Sequence, residues 1–244
     1  MNGEKNGVRE TKAHVTAIIL AAGQGKRMNM LVAKQFIMLN GKPVLYYSVK
    51  AFEESRVDEI ILICGQGQVD YCEEKIVKTY GFKKVKRIIE GGMERYDSVY
   101  KGLTETGHTD YVLIHDGARP FISVSLINEV IETVQECKAC IVAAPVKDTI
   151  KIVDGNGWVK DTPDRNLLWA AQTPQAFEYA SIKKAYESLF ASDKSLRENI
   201  TDDAMVYDMF THLPVKVVKG DYYNIKITTP EDLIFANGII AGQN

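Results

Sequence analysis

The chain has 244 residues, of which 45% are hydrophobic and 25% are charged, and its formal net charge is −2. These values are typical of a soluble globular protein with one large domain. A net charge this close to zero gives no overall attraction to nucleic acid or a membrane surface, so we expect neither as a partner. The longest apolar run is far shorter than the ~20 residues of a membrane span. Residues 1–13 lack the apolar core of a secretory signal. We therefore expect a flexible tail at 1–13 and a cytoplasmic location.

Short runs rich in Val and Ile alternate with amphipathic stretches over residues 14–145. Brief apolar runs are typical of buried strands, and a 3.6-residue period is typical of helices. The alternation therefore predicts an α/β fold with a Rossmann-like, mostly parallel sheet and helices on both faces. The predicted strands are 15–20, 59–64, 85–89, 111–115 and 140–144, and the predicted helices lie near 43–54, 68–79, 94–103 and 123–136.

The first predicted strand is followed by the glycine-containing run "LAAGQGKRM" at residues 20–28. Met28 stands where a dinucleotide-binding fingerprint needs its third glycine, and the spacing of a P-loop is absent. Small residues at 21–25 still let backbone N–H groups approach an anion closely. Arg27 and Lys34 are therefore predicted to surround a polyphosphate, whereas the neighbouring Lys26 is expected to lie in solvent.

A second glycine-containing run, "GGMERYDS" at residues 91–98, follows the third predicted strand. Its two glycines permit the close approach of a flat ligand such as a nucleotide base. The Ser98 hydroxyl could hydrogen-bond the edge of that base. Arg95 in the same run could be only a cation on the protein surface, with no role in the site.

The run "HDGARP" at residues 115–120 follows the fourth predicted strand. Ligands of open α/β sheets lie beyond the carboxyl ends of the strands, and Mg²⁺ is commonly held by one or two carboxylates plus substrate phosphates. Asp116 is therefore a candidate Mg²⁺ ligand, with a turn-capping Asp as the alternative. His115 is expected to be a packed residue at the end of the strand.

Residues 146–172 interrupt the alternation and predict an inserted β-hairpin arm. Two short strands, 149–153 and 158–161, flank the turn sequence "DGNG" at 154–157. Trp158 and Trp169 give the arm more apolar surface than an isolated hairpin can bury. Either a partner subunit or the chain's own domain could cover this surface. Residues 14–145 and 173–244 would then form a single α/β domain around the arm.

The C-terminal part predicts helices at 179–190 and 201–210, strands near 215–218 and 224–227, and a last helix. That helix opens with "TPED" at 229–232, which places a capping Thr, a Pro and two acids in the favoured positions. Asp202 and Asp203 open the helix before it. Their position in a first helical turn already has a dipole explanation.

Four cysteines are too few for a disulfide scaffold in a chain of this length. Cys137 and Cys140 have the C-x-x-C spacing, but the sequence offers no second pair or nearby pair of histidines to complete a zinc site. We therefore expect reduced, structural cysteines in a reducing cytosol.

Five motifs occur in order along almost the whole chain. They are A-A-G-x-G-x-R-M followed by Lys34, G-G-x-E-R-x-x-S, H-D-G-A-R-P, D-R-N-L-L-W-A-A-Q-T-P-Q-A-F and N-I-K-I-T-T-P-E-D-L. In this combination the chain resembles the 2-C-methyl-D-erythritol 4-phosphate cytidylyltransferases, nucleotidyltransferases of non-mevalonate isoprenoid biosynthesis. The resemblance implies a nucleotide-diphospho-sugar transferase type of fold. It also implies transfer of CMP from CTP to the sugar-alcohol phosphate, with release of pyrophosphate.

The resemblance also implies roles for individual residues and for a partner subunit. Arg27 and Lys34 would stabilise the triphosphate and the transition state, and Asp116 would hold Mg²⁺ as cofactor. Arg165 and Lys226 would position methylerythritol phosphate. The arm would reach into a neighbouring subunit of a homodimer. The implied CTP pocket comprises Ala21, Ala22, Gly23, Gly92, Ser98, Asp116 and Gly117, and the implied secondary substrate contacts are Arg119, Thr149 and Thr173.

Two rival functions remain open from the sequence. A cytidylyltransferase of the same fold that acts on ribitol 5-phosphate would have similar CTP loops, although "TPDRNLLW" at 162–169 looks more like the methylerythritol branch. A non-catalytic nucleotide-binding regulator could keep the glycine loops. Such a regulator would have little reason to keep Arg27, Lys34, Asp116, Arg165 and Lys226 together.

Overall fold

The computed structural model describes residues 12–23 and 33–242. The strands in these residues, in chain order, are β1 (Val15–Ala21), β2 (Met38–Leu39), β3 (Lys42–Pro43), β4 (Glu59–Cys64), β5 (Val85–Glu90), β6 (Tyr111–Asp116), β7 (Ala139–Pro145), β8 (Ile152–Val153), β9 (Val159–Asp161), β10 (Trp169–Glu178) and β11 (Lys216–Lys219). Most of the tail predicted at 1–13 lies outside the described residues.

The α-helices are α1 (Val44–Glu54), α2 (Val69–Cys72), α3 (Arg95–Glu105), α4 (Val124–Cys137), α5 (Tyr179–Ala191), α6 (Lys194–Arg197), α7 (Asp203–Thr211) and α8 (Pro230–Ala241). Helix α2 continues as π-helical turns over Glu73–Lys78, and single 3₁₀ turns occur at Lys34–Phe36 and Arg165–Leu167. The predicted helices are confirmed to within a few residues at their ends. Among the helices of the described residues, none is both long and apolar enough to cross a membrane.

Seven strands form one sheet in the order β11-β7-β10-β6-β1-β4-β5. Strands β6, β1, β4 and β5 pair in parallel, as do β11 and β7. Strand β10 runs antiparallel to both of its neighbours, β6 and β7. The prediction of an α/β fold with a mostly parallel sheet is therefore confirmed.

Helices cover both faces of the sheet, as the alternating sequence predicted. Apolar residues of α1, α2 and α4 pack with one face in a core that includes Phe52 and Ile127. Residues of α3, α5 and α7 pack on the other face, where Tyr186 and Tyr207 are fully buried. A smaller core joins α8 to the β2–β3 hairpin. The central strands β1, β4 and β6 are therefore almost fully buried.

The prediction of a strand at 224–227 is wrong. This segment has no regular secondary structure and belongs to no sheet in the described structure. Its Ile227 N–H donates to the carbonyl of Ala118 in a loop, at 2.8 Å. The buried Asn224 side chain binds the Thr173 carbonyl at 3.0 Å. The alternating apolar residues that suggested a strand instead pack in the small core between α8 and the β2–β3 hairpin.

The arm is a shorter hairpin than predicted. Strands β8 and β9 pair antiparallel, and the Asp154 side chain orders the turn by accepting from the N–H groups of Asn156 and Trp158, both at 3.0 Å. Gly157 has φ +85°, a conformation that favours glycine. Strand β10 begins at Trp169, opposite Pro145, so residues 169–172 belong to the main sheet and not to the arm.

Candidate active site

A cavity of about 410 Å³ lies at the carboxyl ends of the parallel strands. In the sheet, β1 lies between β4 and β6. The chain runs from β1 to β4 and β5 on one side and then returns to β6 on the other, so the strand order reverses between β1 and β6. Ligands of open α/β sheets bind at such a reversal. The lining residues are Leu20, Ala22, Gly23, Lys34, Gly92, Met93, Glu94, Arg95, Ser98, Asp116, Ala118 and Lys226. The loops that the sequence singled out after three different strands therefore meet in one cavity.

Asp116 lies at the end of β6 and is surrounded by cations. The Lys226 ammonium is 2.8 Å from Oδ2, while Arg119 Nε is 3.7 Å from Oδ2 and Arg95 Nε is 3.5 Å from Oδ1. Burial alone would raise the pKa of Asp116, but Arg95, Lys226 and Arg119 outweigh it and hold the pKa well below its usual range. The carboxylate is therefore ionised throughout the physiological pH range.

Arg95 is not a surface cation, because its guanidinium is bound by a buried carboxylate from α7. The terminal nitrogens Nη1 and Nη2 donate to Asp203 Oδ1 and Oδ2 at 2.8 and 2.7 Å. Asp203 is fully buried and also accepts from the Tyr186 hydroxyl at 2.6 Å. The dipole explanation for Asp203 was therefore insufficient. The missed signal was a charged pair whose members lie 108 positions apart.

His115 is packed in the core, as predicted, and helps to hold Thr173. Its Nδ1 lies 3.0 Å from the Thr173 hydroxyl, and that hydroxyl accepts from the backbone N–H of Asp116 at 3.0 Å. Burial lowers the pKa of His115 to about 3, so the ring is neutral at pH 7. Thr173 is itself buried. The Thr173 side chain therefore supports the backbone of Asp116, and its contact with substrate stays a prediction.

Arg119 fixes the segment that carries Lys226. Its Nη1 donates to the Asn224 carbonyl at 2.7 Å, and 11% of its side chain is exposed. Two residues further along, Lys226 is 34% exposed and reaches Asp116. Arg119 therefore connects two walls of the site, and a direct contact between Arg119 and substrate stays a prediction.

The second glycine loop is tightly packed against the first. A Cβ at Gly91 would lie 2.5 Å from Ala22 Cβ and 2.6 Å from Ser98 Oγ, and a Cβ at Gly92 would clash with Asp97. The Ser98 hydroxyl accepts from the Gly92 N–H at 3.0 Å and donates to the Glu94 carbonyl at 3.2 Å. These glycines therefore let the two loops approach each other, and Ser98 holds the second loop in place.

The other predicted nucleotide-pocket residues differ in whether they line the cavity. Ala21 is the last residue of β1, and its carbonyl accepts from the Gln35 amide at 2.6 Å. Gly117 donates its N–H to the Leu20 carbonyl at 2.8 Å, which ties the Asp116 loop to β1. Ala22, Gly23 and Lys34 line the cavity. Lys26 and Arg27 lie outside the described residues.

The two predicted arm residues lie away from this cavity. Arg165 donates through Nη1 to the Lys147 carbonyl at 2.9 Å, and both it and Thr149 are exposed on the arm. Within one chain, none of the described arm residues lines the cavity that contains Asp116. The structure therefore brings together Lys34, Asp116 and Lys226 but not Arg165 or Thr149.

The similarity of this chain to known proteins identifies its family. The family model for 2-C-methyl-D-erythritol 4-phosphate cytidylyltransferase matches residues 15–242. A relative of that name from Lachnoclostridium phytofermentans is 53% identical over 226 residues, which are 93% of this chain and 96% of the relative. One from Lachnospira eligens is 49% identical over 228 residues, or 93% and 99%. The crystal structure of 4-diphosphocytidyl-2C-methyl-D-erythritol synthase from Anaerococcus prevotii is 36% identical with a TM-score of 0.82, covering 94% of this chain and 96% of that one. The chain therefore belongs to the 2-C-methyl-D-erythritol 4-phosphate cytidylyltransferase family.

Proposed function

We propose that this protein transfers CMP from CTP to 2-C-methyl-D-erythritol 4-phosphate. The products are 4-diphosphocytidyl-2-C-methyl-D-erythritol and pyrophosphate. The observation that carries the proposal is the cavity at the reversal of strand order, which is lined by Lys34, Lys226 and the ionised Asp116. Family membership over residues 15–242 supports the same reaction.

The chemistry suits a site built from cations and backbone groups. An oxygen of the sugar-alcohol phosphate forms a bond to the α-phosphorus of CTP, and the bond from that phosphorus to the β-phosphate oxygen breaks. The attacking oxygen is already ionised at neutral pH, so the reaction needs no side chain to remove a proton. It needs two polyanions held in line and stabilisation of the charge that develops at phosphorus.

Cations from different parts of the chain would provide this stabilisation. Lys34 lines the cavity beside Gly23 and would bind the triphosphate. Arg27 would act with it as the sequence predicts. Lys226 is partly exposed at the cavity wall, and we assign it to the phosphate of the second substrate. Loss of one such cation should lower the rate by roughly 10²–10³-fold if it acts like an oxyanion-hole donor.

The nucleoside would lie between the two glycine loops. Ala22, Gly23 and Gly92 line the cavity with little side-chain bulk, so a base can approach their backbone N–H and C=O groups. Ser98 lies in the same wall. Specificity for cytosine would come from hydrogen bonds between these backbone groups and the edge of the base.

Asp116 has the properties of a Mg²⁺ ligand in this setting. Its carboxylate is ionised, and magnesium sites commonly combine one or two carboxylates with substrate phosphates. Within residues 12–23 and 33–242 no group of three or more His, Cys, Asp or Glu side chains is placed to hold a metal by itself. The donor set therefore fits a cation that arrives with CTP. When bound, Mg²⁺ would neutralise charge on the phosphates, and Asp116 would orient it.

A homodimer would complete the site through the arm. Trp158 is 73% exposed and Leu167 is 78% exposed, which leaves apolar surface on a hairpin that cannot bury it alone. Arg165 and Thr149 lie on the same arm but outside their own chain's cavity. We therefore assign these two residues to the methylerythritol phosphate bound in a neighbouring subunit.

We also place the protein in the cytoplasm. All four cysteines are free thiols, including the C-x-x-C pair Cys137 and Cys140. Free thiols persist in a reducing compartment.

A pyrophosphate-release assay tests the proposed reaction. The purified protein is incubated with CTP, Mg²⁺ and either methylerythritol 4-phosphate or ribitol 5-phosphate. Release only with the first substrate is the expected result. Release with ribitol 5-phosphate alone would reassign the substrate, and no release with either would favour a non-catalytic nucleotide-binding protein. Omission of CTP and replacement by ATP are the controls.

A further inference from the structure

Asp203 joins four elements of the fold and contacts Arg95, which lines the cavity. It is the first residue of α7, and its backbone N–H donates to the Gln175 side chain of β10 at 3.0 Å. Its carboxylate accepts from Tyr186 of α5 at 2.6 Å and from Arg95 of α3. The carboxylate is fully buried. Asp203 is therefore held in place from three directions, and Arg95 is the partner that reaches into the cavity.

Arg95 binds Asp203 at shorter distances than it approaches Asp116. Both terminal nitrogens bind Asp203, at 2.8 and 2.7 Å, which are the short distances of charge-assisted hydrogen bonds. The nitrogen closest to Asp116 is Nε, at 3.5 Å, beyond the usual range for such a bond. A guanidinium is planar and rigid, so it cannot also turn its terminal nitrogens towards Asp116 while it binds Asp203.

We infer that Asp203 is a positioning residue that keeps Arg95 from capturing Asp116. Without Asp203, the guanidinium could form a bidentate pair with the Asp116 carboxylate, since such pairs are the preferred geometry of Arg with carboxylates. Oδ2 already lies 2.8 Å from the Lys226 ammonium, so this pair would also occupy Oδ1, the oxygen that is left for a divalent cation. With Asp203 present, Arg95 adds positive charge near Asp116, but its nearest nitrogen stays 3.5 Å from Oδ1. This inference rests on the proposed function of Asp116 as a ligand for the cation that accompanies CTP.

A purely structural role for Asp203 gives a different expectation. Removing one partner of a buried ion pair destabilises a protein whatever the remaining partner then contacts. It would not change the affinity of the folded site for a divalent cation. Partners that orient a metal ligand instead change metal affinity or activity by ~10–100-fold when they are mutated.

The test measures the binding of Mn²⁺ to the protein with CTP by electron paramagnetic resonance. Mn²⁺ and CTP without protein are the reference, because CTP itself binds Mn²⁺. Asp203→Asn removes the charge with little change of shape and should weaken Mn²⁺ binding by ~10–100-fold. Asp202→Asn is the matched control. It removes the same charge one residue away, where Asp202 caps α7 through the Met205 N–H at 2.9 Å and Asn also caps well. Its Mn²⁺ affinity should stay within about twofold of that of the unaltered protein.

Two further variants separate positioning from folding. Asp203→Asn combined with Arg95→Gln removes both charges, so Mn²⁺ affinity should recover because no guanidinium competes for Asp116. Asp203→Glu keeps the charge and pushes the guanidinium towards Asp116. It should weaken Mn²⁺ binding in the same direction even if Asp203→Asn does not fold. Circular dichroism at the assay temperature establishes that each variant is folded.

A folded Asp203→Asn or Asp203→Glu protein with unchanged Mn²⁺ affinity would overturn the inference. So would a double variant that binds Mn²⁺ as weakly as the single one, because Asp203 would then not act through Arg95. Pyrophosphate release by the unaltered protein is measured in parallel. If it occurs while the variants bind Mn²⁺ normally, the positioning role fails and the proposed reaction stands. If it does not occur, the proposed reaction fails independently.

Discussion

The close contact between the two glycine loops makes Gly91→Ala a demanding test of the proposed nucleotide pocket. The added methyl group would lie 2.5 Å from Ala22 Cβ and 2.6 Å from Ser98 Oγ. Carbon atoms that do not share a bond prefer separations of about 3.5–4.0 Å. The loops must therefore separate by about 1 Å. Ala22 cannot relieve the contact by rotating its side chain, because its side chain is a single methyl group.

Two effects of this displacement can be given magnitudes. Overpacking of this kind costs about 1–3 kcal/mol, and each kcal/mol shifts the melting temperature of a domain of this size by about 2–4 °C. We therefore expect Tm to fall by about 2–12 °C. A 1 Å misplacement of binding groups can lower turnover by about 10²-fold. We expect kcat/KM for CTP to fall by that order.

The assay combines thermal unfolding with steady-state pyrophosphate release at varied CTP. Gly107→Ala is the matched control, because a Cβ at Gly107 meets nothing within 4 Å. That variant should retain the KM for CTP and the Tm of the unaltered protein. If Gly91→Ala also kept both values, the glycine loops would not form the nucleotide pocket as we propose.

Three further predictions concern the arm, the buried histidine and the assembly. Arg165→Met should raise the KM for methylerythritol phosphate by about 10–100-fold and leave the KM for CTP unchanged. Lys160→Met on the same arm is the control, and a loss of CTP binding by Arg165→Met would contradict the assignment. The pKa of His115 is lowered from 6.5 to about 3, so its stabilising contribution is present above pH 6.5 and lost as pH falls towards 3. His115→Asn should flatten the fall of the urea midpoint over this interval, and curves that stay parallel would exclude His115 as its source. Trp158→Ser should weaken the proposed dimer by about 30-fold or more if Trp158 is an interface hot spot. Light scattering over a dilution series measures the dissociation constant, and an unchanged value would contradict an interface at Trp158.

Local sequence patterns were sufficient for most of the sheet and helices. Buried strands such as Glu59–Cys64 are continuous apolar runs between turns, and their partners follow from the alternation with helices. Strand β10 was not predicted, because Trp169–Glu178 mixes polar residues into a strand that pairs antiparallel with β6 and β7. Segment 224–227 was misassigned for the converse reason. Its apolar residues pack in the small core with α8 and β2, and periodicity does not distinguish burial against a helix from pairing with a strand.

The candidate site divides along similar lines. Asp116 and the glycine loops were predictable because the ends of parallel strands meet at one edge of the sheet. The pairing of Arg95 with Asp203 was not, since it depends on how α3 and α7 pack on the same face. Sequence position made each of these residues look ordinary, one as a surface cation and the other as a helix-start acid. Only the structure shows that these two opposite charges lie next to each other and form an ion pair.

The base of the arm has a consequence for how the chain can tolerate change. Trp169 pairs with Pro145 and Ala170 with Ala144, so the sheet itself already holds the two ends of the arm together. Once the ends of a loop are held, each doubling of its length adds only about 0.6 kcal/mol of closure entropy. Insertions or deletions between residues 147 and 167 should therefore leave the fold of the domain nearly intact. Changes in the length or the side chains of this hairpin could therefore adapt the protein to a different acceptor, while the nucleotide-binding loops of the domain stay the same.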